Sequence, residues 1–157
     1  MLNDNPEYKN VKPVKFAGCE YRSTTEARWA VFFSKMEIFS SYEKESFQMP
    51  DSKPFYTPDF YLHNIGAYLE IKPIDEKFLN SEVFLKLMCL KYWVGQLDVF
   101  LIQGSPYDNF RCSKVVGERI KEDVLCFDLE SFDLYEELPG TLKKYKNSLE
   151  FARHYKF

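Results

Sequence analysis

YTPDFYLHNIGAYLEIKP, residues 56–73, reads as a strand, a turn and a second strand, yet it sets Asp59, Glu70 and Lys72 among its aromatic and aliphatic residues. Tyr56–Leu62 and Ala67–Lys72 have strand composition, and His63-Asn64-Ile65-Gly66 between them supplies the Asn and Gly of a turn. Pairing symmetric about the Asn64–Ile65 bond puts Asp59 opposite Glu70, with Cβ atoms roughly 4.5–5.5 Å apart. Side chains alternate along a strand, so Tyr68, Glu70 and Lys72 share one face while Ala67, Leu69 and Ile71 take the other, toward a core. Lys72 therefore joins the acidic pair.

Two carboxylates opposed across a ladder repel, and one lysine neutralises only part of their charge. A divalent cation would neutralise the rest. Hard cations such as Mg²⁺ take carboxylate oxygens, waters and substrate phosphate as ligands. Taken in isolation, the same residues also describe an ordinary solvent-facing strand with a cross-strand ion pair.

Upstream, YRSTTEARWAVFFSKM, residues 21–36, predicts a helix opening at Ser23. Ser23-Thr24-Thr25-Glu26 has capping-box spacing, in which Glu26 needs no further task. Glu26 also shares a helical stripe with Ala30 and Phe33, so its carboxylate starts the face that packs inward. Spacing leaves both readings open.

FAGCEYRSTTEARWAVFF, then SYEKESF, then YTPDFYL and YLEIKP, in that order, resemble the PD-(D/E)xK nuclease superfamily. Within it they are most similar to small phage nucleases and to endonuclease I-type Holliday-junction resolvases. The shared pattern is an acid on the first helix, Pro-Asp on one strand and acid-x-Lys on the next, here Glu26, Pro58-Asp59 and Glu70-Ile71-Lys72. The resemblance covers about residues 16–104. It implies an α/β fold with a restriction-endonuclease-like αβββαβ core, a mixed sheet flanked by helices. It also implies a Mg²⁺-dependent endonuclease, Mn²⁺ substituting, that hydrolyses DNA phosphodiester bonds, encoded by a phage or mobile element and acting on branched DNA if the likeness extends to the resolvases. Asp59, Glu70 and the Ile71 carbonyl would bind the metal, and Glu26 would add a direct or water-mediated ligand. Lys72 would polarise the attacking water or hold negative charge at the phosphate. Arg22 would contact a phosphate, unless it is simply a surface arginine; Glu43 and Glu45 read as strand-surface charges.

Composition agrees with a single domain over residues 1–157: the chain is 45% hydrophobic and 18% aromatic, which argues for a packed core. Apolar runs are too short for a membrane span, and the start MLNDNPEYKN lacks the regions of a signal peptide, so a cytoplasmic protein is expected. Cys19, Cys89, Cys112 and Cys126 show no CxxC spacing, and with His63 and His154 as the only histidines they read as free buried thiols rather than a zinc set. There is no internal repeat and no glycine-rich phosphate loop.

Ser41–Met49 is expected to be a strand, Pro50-Asp51-Ser52-Lys53 a turn, Phe78–Tyr92 a helix and Leu97–Ile102 a buried strand, giving the order α-β-β-β-α-β. Residues 105–157 are expected to form a C-terminal helical extension, with Val124–Leu129 a candidate extra strand and Thr141–Tyr155 a last helix after Pro139-Gly140. Net charge is −3, which does not attract DNA. Charge is unevenly placed, however: Lys143, Lys144, Lys146, Arg153 and Lys156 face the single acid Glu150 after residue 138. Lys143, Lys144, Lys146 and Arg153, interleaved with aromatics, are candidate DNA contacts; an amphipathic helix with solvated lysines has the same composition. The resolvases are basic, so an acidic body suits an enzyme that acts as a homodimer or borrows DNA affinity from a partner protein. The endonuclease subunit of a heteromeric transposase fits that description. A non-catalytic binding protein on the same fold is the third reading.

Overall fold

The computed structural model describes residues 12–50, 54–75, 79–121 and 124–157. The chain begins with a hairpin, β1 (Val14–Phe16) and β2 (Cys19–Tyr21), whose turn residues Ala17 and Gly18 both have positive φ, the geometry a two-residue type I′ turn requires. Helix α1 (Thr24–Lys35) follows, then β3 (Ser40–Tyr42), β4 (Phe60–Leu62), β5 (Ala67–Lys72), α2 (Ser81–Val94), β6 (Asp98–Gln103), β7 (Arg111–Lys121), β8 (Val124–Phe132), α3 (Leu134–Glu137) and α4 (Leu142–His154).

Strands β3 to β8 form one six-stranded sheet in sequence order. All neighbours are antiparallel except β5 and β6, which run parallel because α2 carries the chain back between them. The sheet is therefore mixed and covered on both faces. Ala67, Leu69, Ile71, Phe100 and Ile102 point into a core shared with α1 and α4, while Tyr68, Val99 and Leu101 point into a second core under α2, with Val83, Leu87 and Leu90. This explains why every residue of β5 is buried. Helix α1 is buried almost all round, from Ala27 to Phe33, because it lies between the sheet, α4 and the β1–β2 hairpin. Among the described residues, no helix is long and apolar enough to cross a membrane.

The hairpin register is as the sequence predicts: Phe60 pairs with Leu69, Tyr61 with Tyr68 and Leu62 with Ala67, around the turn at 63–66. Two strands are shorter than expected. The first stops at Tyr42 because Glu43 turns to φ +48; beyond it, among the described residues, a single bridge between Phe47 and Tyr56 continues pairing toward Met49. The second starts at Phe60 rather than Tyr56, since Pro58 has no N–H to give a ladder. The proposed turn at Asp51–Lys53 and residue Phe78 lie outside the described residues. Helix α2 starts at Ser81, where the Asn80 side chain accepts from the Val83 N–H. The C-terminal extension is not simply helical: β7 and β8 add two antiparallel strands to the sheet before α4. Cys112 is buried and Cys19 and Cys89 half-buried, none of the three in a disulfide; the Cys126 side chain lies outside the described residues.

Candidate active site

Ser23 caps α1, its hydroxyl accepting from the Glu26 N–H at 3.1 Å. That half of the capping box forms. The Glu26 carboxylate instead points inward and accepts from the Tyr42 hydroxyl at 2.6 Å. Glu26 is thus both a first-turn acid and a buried one, at 2% exposure.

Asp59 has no exposed surface. It sits just ahead of β4, where Pro58 has ended the ladder, and its side chain takes over the backbone's role: Oδ2 accepts from the Ile71 N–H at 2.7 Å. Oδ1 accepts from Arg22 Nη2 at 2.9 Å. Arg22 also meets Glu43 at 3.0 Å and the Tyr42 hydroxyl at 3.3 Å, so it is a site residue rather than a solvated one. On β5, Glu70 accepts from the Tyr56 hydroxyl and pairs with Lys72 at 3.3 Å. Both are nearly inaccessible, at 6% and 5%.

Sequence reasoning assigns Lys72 to both carboxylates. In the structure Arg22 pairs with Asp59 and Lys72 with Glu70. The roles of Tyr42 and Tyr56 were missed, although both lie within the quoted motifs, because a hydroxyl donor cannot be matched to its acceptor without the fold. Glu45 is an exposed charge that accepts from the Tyr68 hydroxyl, and Glu43 is half-buried and paired with Arg22.

Burial dominates the electrostatics. Desolvation, then the charges of Glu70 and Glu26, drive the Asp59 carboxyl well above its ordinary value, against the opposing pull of Arg22 and the Ile71 N–H. Glu26 is raised chiefly by burial, with the Tyr42 hydrogen bond and Arg22 lowering it and Glu70 and Glu43 adding to the rise. Burial, then Glu26, pushes the Tyr42 phenol up, so it remains a donor. Glu26, Glu43, Asp59 and Glu70 outnumber Arg22 and Lys72 among the described pairs, an excess of acids that burial keeps partly protonated.

That excess, on oxygen donors alone, fits a hard divalent ion. As the side chains stand, however, no group of three His, Cys, Asp or Glu among the described residues converges closely enough to hold one. Arg22 and the Ile71 N–H take the Asp59 oxygens, and Tyr42 and Tyr56 take those of Glu26 and Glu70.

The basic candidates are dispersed. Lys143 and Lys144 line an open groove of about 580 Å³ with Lys35, Glu37 and Asn147, at the far end of α1 from Glu26. Lys144 pairs there with Glu37. Lys146 is exposed. Arg153 lies at the other end of α4, donating to the Pro106 carbonyl in the β6–β7 turn. No protein-family model, curated protein or solved structure matches this chain.

Proposed function

We propose that the chain is a metal-dependent endonuclease that hydrolyses DNA phosphodiester bonds, with a restriction-endonuclease-like core formed by α1, β3, β4, β5, α2 and β6. The observation that carries this reading is the set of three buried, mutually repelling carboxylates, Glu26, Asp59 and Glu70, gathered with Arg22 and Lys72 where β4 begins and β5 ends. Burying such charge weakens a fold, and clusters of this kind gather at functional sites.

Asp59, Glu70 and the Ile71 carbonyl would hold Mg²⁺ or Mn²⁺, with Glu26 as a direct or water-mediated ligand. Such an ion supplies charge neutralisation at the phosphate and an activated water. Lys72 is held beside Glu70, positioned to orient that water or to take negative charge developing on the phosphate. Arg22 carries a fork of donors suited to a phosphate once Asp59 turns to a cation. Tyr42 and Tyr56 donate to Glu26 and Glu70 and hold those acids in place.

The acidic net charge and the dispersal of the lysines favour affinity supplied by a second copy or by a partner protein, as in a heteromeric transposase. The test is incubation with supercoiled, linear, single-stranded and four-way-junction DNA, with Mg²⁺, Mn²⁺ or chelator. Nicking or cutting is expected only with metal; Lys72→Ala should abolish turnover while metal binding, read by calorimetry, persists. Equal cutting in chelator, or full activity of Lys72→Ala, would reject the mechanism.

A further inference from the structure

Gln103, the last residue of β6, is 5% exposed, and its side-chain amide nitrogen is buried with no hydrogen-bond partner among the described residues. A buried donor without an acceptor is destabilising and calls for an explanation. Its surroundings offer little freedom to relax. The Gly104 N–H donates to the Lys72 carbonyl at 2.8 Å, and the Gly104 carbonyl accepts from the Trp29 indole at 2.9 Å. Gly104 has φ +97, and a Cβ there would come within 3.3 Å of Ile74 and Asp108, so the chain turns tightly immediately after the amide.

The register says where the amide belongs. Gln103 pairs with Lys72 on β5 and with Arg111 on β7, and residues paired across strands share a face. Val99 and Leu101, four and two positions before Gln103, face the α2 core, and so does Tyr68, four before Lys72. Lys72, Gln103 and Arg111 therefore form a row of donors across three adjacent strands, at the end where the parallel pair runs out. The acceptor Asp59 lies ahead of β4, on the side of β5 away from β7, Glu26 lies on α1, and Glu70 sits beside Lys72 on β5 itself. One side of the site suits a cation and the other suits phosphate oxygens. With strands about 4.8 Å apart, the row is wider than one phosphate.

We propose that Gln103 donates its amide N–H to a non-bridging oxygen of a DNA phosphate on the β7 side of the bond that is cut, and that Arg111 flanks the same phosphate. The inference rests on the nuclease reading and adds the direction in which the DNA strand crosses the sheet. An uncharged donor suits this position, since it binds the oxygen without adding a third cation between Lys72 and Arg111.

The test uses the full chain with Gln103→Leu, Gln103→Glu and Arg111→Gln. Without DNA, Gln103→Leu should melt at or above the wild-type temperature, because it removes a donor that bonds nothing. Affinity for a short fluorescent DNA duplex, read by anisotropy in chelator so that nothing is cut, should fall about tenfold for Gln103→Leu and further for Gln103→Glu. The slope of log affinity against log salt should be unchanged for Gln103→Leu, which loses no cation, and shallower for Arg111→Gln. A lower melting temperature for Gln103→Leu, or wild-type DNA affinity in that variant as a bound water would give, would overturn the proposal. Weakened binding together with no metal-dependent cutting by wild type would sustain the phosphate contact and reject the nuclease; cutting with unaltered Gln103→Leu affinity would do the reverse; a wild type that binds no DNA would reject both.

Discussion

Asp59 combines zero exposure with two carboxylate neighbours, and Arg22 offsets only part of the resulting cost. Its carboxyl and that of Glu26 hold protons in the folded chain that the unfolded chain has already released above the ordinary values of 3.8 and 4.5. Stability without metal is therefore greatest below those values and declines as pH rises toward the folded ones. Asp59→Asn removes the titrating charge. It loses the Arg22 pair, but burial and the repulsion from Glu70 and Glu26 are the larger effects, so the variant should be as stable as wild type at neutral pH or more so. Its stability should also depend less on pH. Denaturant unfolding in chelator across the acid-to-neutral range would measure both, and an ordinary surface salt bridge would instead show a loss of roughly 0–1 kcal/mol. A clear loss at neutral pH would mean that the Arg22 pair outweighs the repulsion.

At the scale of elements, what the sequence made legible was local. Ser23 and the apolar spacing that follows identify α1; Asn-Gly chemistry and alternation identify the β4–β5 turn and its register; Thr141 after Pro139-Gly140 opens α4. Ser23→Ala should cost about 1 kcal/mol in a thermal melt, the usual effect of losing such a cap. The unread parts depend on distant partners. Asp59 leaves the ladder because its side chain finds the Ile71 N–H, and Glu26 ignores its capping box because Tyr42 reaches it from β3. Strand β7 alternates poorly: Gly117 has φ +74 and the β7–β8 register shifts between Val116 and Arg119, so no simple period two survives. Helix α4 buries Tyr145, Leu149 and Ala152, so deleting it would strip the core as well as the cations. Lys143→Ala with Lys146→Ala is the cleaner test of a DNA role. Both positions are exposed, so stability should move by no more than about 0.5 kcal/mol each. If both lysines neutralise phosphates, the salt slope of binding should flatten by roughly 0.9 per contact. An unchanged slope would make the lysines solvated surface.

For the whole molecule, the mixed sheet with cores on both faces fixes the ends of β5 and β6 rigidly, and the excess acid is concentrated there. With the proposed metal site, that arrangement would couple global stability to cation binding. An ion that binds the folded site and not the unfolded chain stabilises by about 2.7 kcal/mol at a hundredfold excess over its dissociation constant. It also reverses the effect of the buried charges, since carboxylates that repel one another in its absence become ligands in its presence. Wild type should therefore melt higher as Mg²⁺ or Mn²⁺ is added, while Asp59→Asn, at least as stable in chelator, should gain little. The order of the two stabilities would invert between chelator and saturating metal. Na⁺ at matched ionic strength separates this from screening, because screening would relieve repulsion equally for any salt. A wild type that responds to Mg²⁺ no more than to Na⁺ would reject the metal site, whatever the DNA assays show.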